Sequence, residues 1–210
     1  MVTSTLGAFA IGGSRSLSLA GQALATAATA ALLGAGYRLI VGCCVGADAA
    51  VIRSALGTGH ARQLHILSAF GPITPSRAGF GAAGTCNLSA VSAIQAARLA
   101  GAQVTPWAGG GADLAITQRL ALRSSRVGSL ATAGGLVILD NRLGSGGQRL
   151  ASAVALRHLQ CWALTVDNTA PPGPGWVRGH FGPFPAWCLS GIRPSRLDLA
   201  APAPALGVAA

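Results

Sequence analysis

The segment Gly12-Gly13-Ser14-Arg15, directly after the apolar run 8–11, has the residue types that bind phosphate. Glycines allow the backbone to approach a phosphate closely, and the N–H groups that begin a following helix attract its charge. Ser14 adds a hydroxyl, and Arg15 adds a guanidinium that can donate two parallel hydrogen bonds. We predict that all four residues contact phosphate, although an ordinary strand-to-helix turn with an exposed arginine would have the same residues.

A second turn of the same kind follows the apolar run 38–41, where Gly42 and Gly46 enclose a short loop. Asp48 then falls in the first turn of the next predicted helix, where the helix dipole favours an anion. We predict that Gly42, Gly46 and Asp48 shape a binding loop. The alternative is that Asp48 only caps its helix.

A third loop contains Ser145, Gly146 and Gly147 and follows the apolar run 135–139. Its small residues again place free N–H groups at the start of a helix, so we predict that these three residues hold phosphate. Upstream, Arg119, Arg123 and Arg126 are spaced i, i+4, i+7 and share one face of a helix. This face is either a solvated basic stripe or the source of an arginine, Arg119 or Arg123, that reaches the phosphate.

Alternating strands and helices position these loops. Six apolar segments are predicted as strands, near residues 8–11, 38–41, 63–69, 101–105, 135–139 and 161–166. Because they are continuously apolar and separated by helical segments, we expect an α/β, Rossmann-like, doubly wound fold. Its mainly parallel sheet would have about six strands with helices on both faces, and the three loops would meet at one edge.

Domain boundaries follow from a change of composition after Asp167. We predict one nucleotide-binding domain over 1–167, containing a Gly-, Pro- and Ser-rich loop over 71–85. Residues 168–210 form a C-terminal extension that contains proline, glycine and two tryptophans. Its aromatic and basic segment 176–187 would cover a sheet edge, form a homodimer contact or stack on bases.

Charge points to an anionic partner. All 15 basic residues are arginine, all five acidic residues are aspartate, and the formal net charge is +10. Biased coding would produce the same composition, but the physical consequence is an excess of guanidinium groups suited to nucleotides or nucleic acids.

Other compositional features narrow the class of protein. The five cysteines show no Cys-x-x-Cys pair, and the four histidines show no ligand spacing, so we expect reduced thiols and no metal site. No 20-residue apolar span or signal peptide is recognisable, which favours a cytoplasmic protein without membrane contact.

These motifs resemble the SLOG superfamily, which includes DprA/Smf-like and YspA-like Rossmann proteins. The resemblance spans about residues 8–166 and rests on five segments, namely 9–15, 42–50, 118–124, 136–139 and 144–147. It implies binding of a nucleotide or nucleotide-derived ligand through the phosphate loops, with no required cofactor other than that ligand. It also implies an alternative, DprA-like binding of single-stranded DNA.

Catalysis is less well supported than binding. The lonely-guy phosphoribohydrolases of this superfamily use a catalytic glutamate, and these 210 residues contain no glutamate. That activity is therefore disfavoured. A different nucleotide-processing hydrolase, with Asp48 or Asp140 as the acid/base group, remains an alternative, and no catalytic residue is assigned.

Overall fold

The structure, a computed structural model, describes residues 6–68, 88–107, 114–140 and 143–189. The loop predicted over 71–85 and the part of the C-terminal extension after residue 189 lie outside these ranges. Among the described residues, no helix combines the length and the apolar character that crossing a bilayer requires.

The described chain alternates strands and helices up to residue 165. The strands are β1 (Ala8–Gly13), β2 (Arg38–Val41), β3 (Leu64–Ser68), β4 (Gln103–Pro106), β5 (Gly134–Leu139), β6 (Cys161–Thr165), β7 (Trp176–Phe181) and β8 (Phe184–Leu189). The α-helices are α1 (Leu19–Gly34), α2 (Ala47–Gly57), α3 (Leu88–Leu99), α4 (Ile116–Ser129) and α5 (Ser145–Ala155), and a short 3-10 helix spans Ala61–Gln63.

All described strands belong to one sheet with the order β4-β3-β2-β1-β5-β6-β8-β7. Strands β1 to β6 pair with one another in parallel, whereas β8 pairs antiparallel with both β6 and β7. The mainly parallel α/β sheet agrees with the sequence prediction. The expected count of about six strands was wrong, because two further strands extend the sheet beyond β6.

Helices cover both faces of the sheet. On one face α1, α2 and α3 pack in sequence over a core that includes Phe9, Leu39 and Ile66. On the other face α4 packs against α5 over Val137 and Leu139. The chain order reverses between β1 and β5, and such a switch point opens a crevice at the carboxyl ends of the strands.

The C-terminal hairpin β7–β8 is part of the core. Phe181 of β7 is fully buried and its ring lies 5.9 Å from that of Phe9 and 5.3 Å from that of Trp162. Tyr37 packs edge-on against Phe9 at 4.9 Å. Residues 176–189 therefore continue the sheet of the preceding domain and supply aromatic side chains to its interior.

Candidate functional site

A cavity of about 160 Å³ lies at the carboxyl edge of the sheet, beside the switch point between β1 and β5. Eight residues that the sequence singled out line it, namely Gly12, Gly13, Arg15, Gly42, Asp48, Arg123, Ser145 and Gly146. They come from all three glycine loops and from α4. The loops converge because each follows a parallel strand, and parallel strands end at the same edge.

Arg123 and Asp48 form a buried ion pair in the wall of this cavity. Arg123 Nη1 donates to Asp48 Oδ2 at 2.9 Å, and the two side chains are only 6% and 9% exposed. The backbone N–H of Cys44 donates to the same carboxylate oxygen at 3.0 Å. Arg123 Nη2 approaches Cys44 Sγ at 3.1 Å. The pair thus joins α4 to the loop that follows β2.

Gly42 makes room for this arrangement. A Cβ atom at Gly42 would overlap the guanidinium of Arg123, so any larger residue would displace the arginine from its place beside Asp48. The glycine predicted as part of a phosphate loop therefore has an evident packing role.

Charge in this cluster resides on Arg123 and Asp48. Burial lowers the pKa of the Arg123 guanidinium, but the anionic forms of Cys44 and Asp48 raise it by more, so its pKa lies above the ordinary value. Since Cys44 becomes anionic only at high pH, Asp48 is the partner that offsets the charge of Arg123 at neutral pH. A hydrogen bond with Cys43 and burial raise the pKa of the Cys44 thiol well above its ordinary value. Cys44 is consequently a neutral thiol at neutral pH and a poor nucleophile.

Backbone contacts tie the first and second loops together. Gly46 has φ +78°, and a Cβ atom there would overlap the carbonyl groups of Ser14 and Arg15. The N–H of Ala47 donates to Ser14 O at 2.9 Å, and Ser14 N–H donates to Ile138 O of β5 at 2.9 Å. Ser14 and Gly46 are not among the residues that line the cavity, and their described contacts hold the two loops in register.

The start of α5 opens on the cavity. Its N-cap, Gly144, makes no side-chain capping bond, and the first intrahelical hydrogen bond at this end runs from Gln148 N–H to Gly144 O. Ser145 and Gly146 line the cavity, whereas Gly147 is buried, with Leu143 and Val137 beside it. The N–H groups of this first helical turn form the kind of donor set that binds phosphate.

The start of α1 differs from this pattern. Ser18 caps the helix by accepting from Gly21 N–H, and the Asp140 carboxylate accepts from Ser18 N–H at 2.8 Å and Ser18 Oγ at 2.9 Å. An anionic side chain of the protein thus occupies the helix terminus that follows the first glycine loop. Because the Asp140 carboxylate takes the position that an anion would take at this terminus, the first loop offers the cavity its glycine backbone and Arg15.

Both carboxylates considered as acid/base groups, Asp48 and Asp140, already accept hydrogen bonds from the protein. Asp140 is not among the residues that line the cavity, and both of its oxygens bond to Ser18. Asp48 lines the cavity, but its Oδ2 already accepts from Arg123 and from Cys44 N–H. Within the described ranges, histidine, cysteine and aspartate form no group of three that could hold a metal ion.

The arginines of α4 have different environments. Arg123 is buried and lines the cavity, Arg119 is half-buried outside the lining set, and Arg126 is exposed near the end of the helix. Sequence reasoning missed Cys44, Thr117 and Ser124, which also line the cavity. Cys44 lies within the second glycine loop, four residues before Asp48. This position was the one feature of the sequence that could have indicated Cys44 as a lining residue.

Comparison with known proteins identifies a fold but no family. No family model matches the chain, and no curated protein matches it by sequence. Among solved structures, DNA processing protein A from Helicobacter pylori, described for its single-stranded DNA binding mode, is similar with a TM-score of 0.55 and 17% identity. The match covers 76% of this chain and 66% of that protein, so this chain spans slightly less than two thirds of its length. At this identity the likeness shows a shared α/β fold.

Proposed function

We propose that this protein binds a nucleotide or nucleotide-derived ligand by its phosphate group in the cavity at the carboxyl edge. The carrying observation is that Arg15, Arg123 and the uncapped start of α5 border one cavity at the switch point of a mainly parallel sheet. Such crevices are the usual ligand sites of doubly wound folds. Buried Arg123 Nε has no hydrogen-bond partner among the described residues, which leaves one donor that a ligand oxygen would satisfy.

Cavity size supports recognition of the phosphate more than of the base. The volume of about 160 Å³ is below the range of about 300–1,000 Å³ typical of pockets that enclose drug-sized ligands. A phosphate with its sugar fits such a space, whereas the base would extend beyond the described walls. We therefore expect weak discrimination among bases.

Titration calorimetry with AMP, GMP, CMP, dTMP and inorganic phosphate tests this proposal. Arg15→Gln should weaken nucleotide binding by roughly tenfold to a hundredfold, the range for a lost charge-assisted hydrogen bond. Gly146→Ala should also weaken nucleotide binding, because the added methyl group would narrow the space for the phosphate. The fold should tolerate this methyl group, since the one neighbouring atom it would meet is Ser124 Oγ at 3.5 Å.

Gly57→Ala is the matched control for the glycine change, since Gly57 is also helical and has no atom within 4 Å of an added Cβ. It should leave nucleotide affinity unchanged. Equal affinities for the unaltered protein, Arg15→Gln and Gly146→Ala would refute phosphate binding at this cavity.

Binding of single-stranded DNA is the second candidate function. The net charge of +10 and the fold shared with a protein described for single-stranded DNA binding favour it. DNA affinity would fall steeply with salt concentration. The logarithm of the binding constant should fall with the logarithm of the salt concentration, with a slope of about −0.7 for each neutralised phosphate of a single strand. Mononucleotide binding would depend much less on salt, because far fewer phosphates are neutralised.

A further inference from the structure

A second cavity, of about 280 Å³, lies at the opposite, amino edge of the sheet. Arg38 at the start of β2, His65 in β3 and Gln103 at the start of β4 line it in adjacent strands, since His65 pairs directly with Gln103. Leu130 and Thr132, which follow α4, close one side. We call this cavity the amino-edge groove. It shares no lining residue with the cavity between the glycine loops.

Polar side chains in the amino-edge groove retain donors. Arg38 Nη2 donates to Gln103 Oε1 at 3.2 Å, which uses one of five guanidinium N–H groups. His65 Nε2 lies 2.9 Å from Thr105 Oγ1. The side-chain amide of Gln103 adds two N–H donors on a residue that is exposed. The groove is therefore suited to a ligand rich in acceptor oxygens.

Two guanidinium groups act on His65. Burial lowers the pKa of its imidazole, and the charges of Arg38 and Arg126 lower it further. Arg38 comes from β2, Arg126 comes from the last turn of α4, and the uncharged Gln103 and Thr105 face the imidazole from β4. An anion in the groove would offset the two positive charges.

The described aspartates all lie at the carboxyl edge of the sheet, whereas arginines occur at both edges. The three aspartates that the structure describes, Asp48, Asp140 and Asp167, follow strand ends at the carboxyl edge or begin a helix there. The amino edge has none of the described aspartates and carries five arginines at strand starts and helix ends, namely Arg38, Arg62, Arg98, Arg126 and Arg157. These five cations therefore have no described carboxylate at their own edge, unlike Arg123, which pairs with Asp48. Helix dipoles account for Arg98 and Arg126 in their last turns. They do not account for Arg38, which begins a strand.

We propose that the amino-edge groove binds phosphate groups of a single-stranded nucleic acid, as a second site separate from the cavity at the carboxyl edge. Of the five arginines only Arg38 lines the groove, and the other four lie on different elements at the same edge, where they can meet further phosphates. The groove itself, of about 280 Å³, has room for a phosphate and an adjoining sugar. A backbone with repeated phosphates matches both features.

Fluorescence anisotropy with a labelled oligothymidylate of about 20 nucleotides, titrated over several salt concentrations, tests this site. The double variant Arg38→Gln/Arg126→Gln should bind on the order of tenfold more weakly at low salt. Its salt slope should be shallower by roughly 1.4, or about 0.7 for each lost phosphate contact. The charge-matched control is the double variant Arg53→Gln/Arg149→Gln, at two exposed arginines that line neither cavity and lie away from the amino edge. It should keep the slope of the unaltered protein.

An independent readout comes from NMR titration of His65, which does not depend on the affinity of any variant. Oligothymidylate binding should raise the pKa of His65 from its lowered value, since phosphate offsets the charge of Arg38 and Arg126. An unchanged pKa at saturating oligonucleotide, or equal salt slopes for the two double variants, would overturn the proposal. So would an unaltered protein that fails to bind the oligonucleotide at low salt.

Titration of the Arg38→Gln/Arg126→Gln variant with AMP separates this inference from the proposed nucleotide site. AMP affinity should be unchanged in it, because neither residue lines the carboxyl-edge cavity. If neither the unaltered protein nor the variant binds AMP, but the salt slope of oligonucleotide binding still depends on Arg38 and Arg126, the nucleotide proposal fails and the amino-edge site stands. If AMP binding depends on Arg15 while the oligonucleotide slopes are equal, the reverse holds.

Discussion

Replacing Asp48 by alanine should strongly destabilise the protein. The substitution leaves the Arg123 guanidinium buried, with its Nη1 donor and the N–H of Cys44 deprived of the oxygen that both now use. The guanidinium stays charged even without Asp48, because arginine is not deprotonated in proteins at neutral pH. Its position at 5% exposure gives water little access to compensate for the missing carboxylate.

Breaking a buried ion pair by removing one partner costs about 3–5 kcal/mol. For a chain of this length, each 1 kcal/mol lowers the melting temperature by about 2–4 °C, so the expected fall is roughly 6–20 °C. Urea unfolding followed by circular dichroism measures the change in the free energy of unfolding. Asp167→Ala, at an exposed aspartate, changes net charge equally and should cost less than about 0.5 kcal/mol.

A double-mutant cycle isolates the pair itself. Arg123→Leu should also destabilise, because it leaves the Asp48 carboxylate buried without its cation. The variant with both Asp48→Ala and Arg123→Leu should lose less than the sum of the single losses, with a coupling energy of about 1–3 kcal/mol. If the two losses add, or if Asp48→Ala costs no more than Asp167→Ala, the ion pair does not hold α4 to the second loop as we have argued.

Three further predictions concern the surrounding structure. Gly46→Ala should lower the free energy of unfolding by about 1–3 kcal/mol or more, because φ is +78° and the added Cβ meets the Ser14 carbonyl group; thermal unfolding measures the loss. Asp140→Ala should cost about 1–2 kcal/mol in urea unfolding, because the N-cap Ser18 loses both bonds to the carboxylate. Burial and two guanidinium groups lower the pKa of His65 from 6.5, so stability present above that pH should be lost as the pH falls. His65→Gln should flatten this part of the curve of unfolding free energy against pH.

Each of these predictions has its own control and contrary outcome. Gly57→Ala, in a helix with open space, should leave the free energy of unfolding unchanged or raise it slightly. If Gly46→Ala changes the free energy of unfolding by no more than Gly57→Ala does, the steric argument is contradicted. Asp140→Asn should lose less stability than Asp140→Ala, because its amide oxygen can still accept one bond from Ser18. If Asp140→Ala unfolds at the same urea concentration as the unaltered protein, the capping contact does not stabilise α1. A pH curve that is unaffected by His65→Gln would show that another group titrates there; His158→Gln, at an exposed histidine, controls for the loss of an imidazole.

Periodicity and glycine positions were sufficient to predict the parallel part of the sheet. Buried strands such as β5, in which all six residues are buried, read as continuous apolar runs. Since loops after parallel strands meet at one edge, the convergence of Gly12, Gly42 and Ser145 followed from topology alone. Whether a ligand binds where they meet is still a prediction.

The sequence did not indicate how the polar side chains pair. Arg123 and Arg126 occupy one helix face by spacing, yet only Arg123 is buried, because Gly42 leaves space for its guanidinium. Likewise Asp140 bonds to Ser18 across 122 residues of sequence. Contacts of this kind depend on the tertiary distance between loops, which local pattern does not encode.

The hairpin β7–β8 was missed for a different reason. Proline and glycine are frequent after residue 168, and they obscure two six-residue strands joined at Gly182-Pro183. A signal was present, since Trp176 and Phe181 begin and end one strand as buried aromatics with exposed residues between them. It was interpreted as a base-stacking or covering segment because Arg178 and His180 lie between the aromatics.

The same hairpin has a consequence for solubility and folding on the ribosome. Strand β6 is apolar and fully buried, so until β8 pairs with it the nascent chain exposes a strand edge that favours aggregation. The outer strand β7 then replaces that edge with one bearing Arg178 and His180, and charged edges resist pairing with other chains. Truncation before residue 176 should yield inclusion bodies rather than a smaller folded domain.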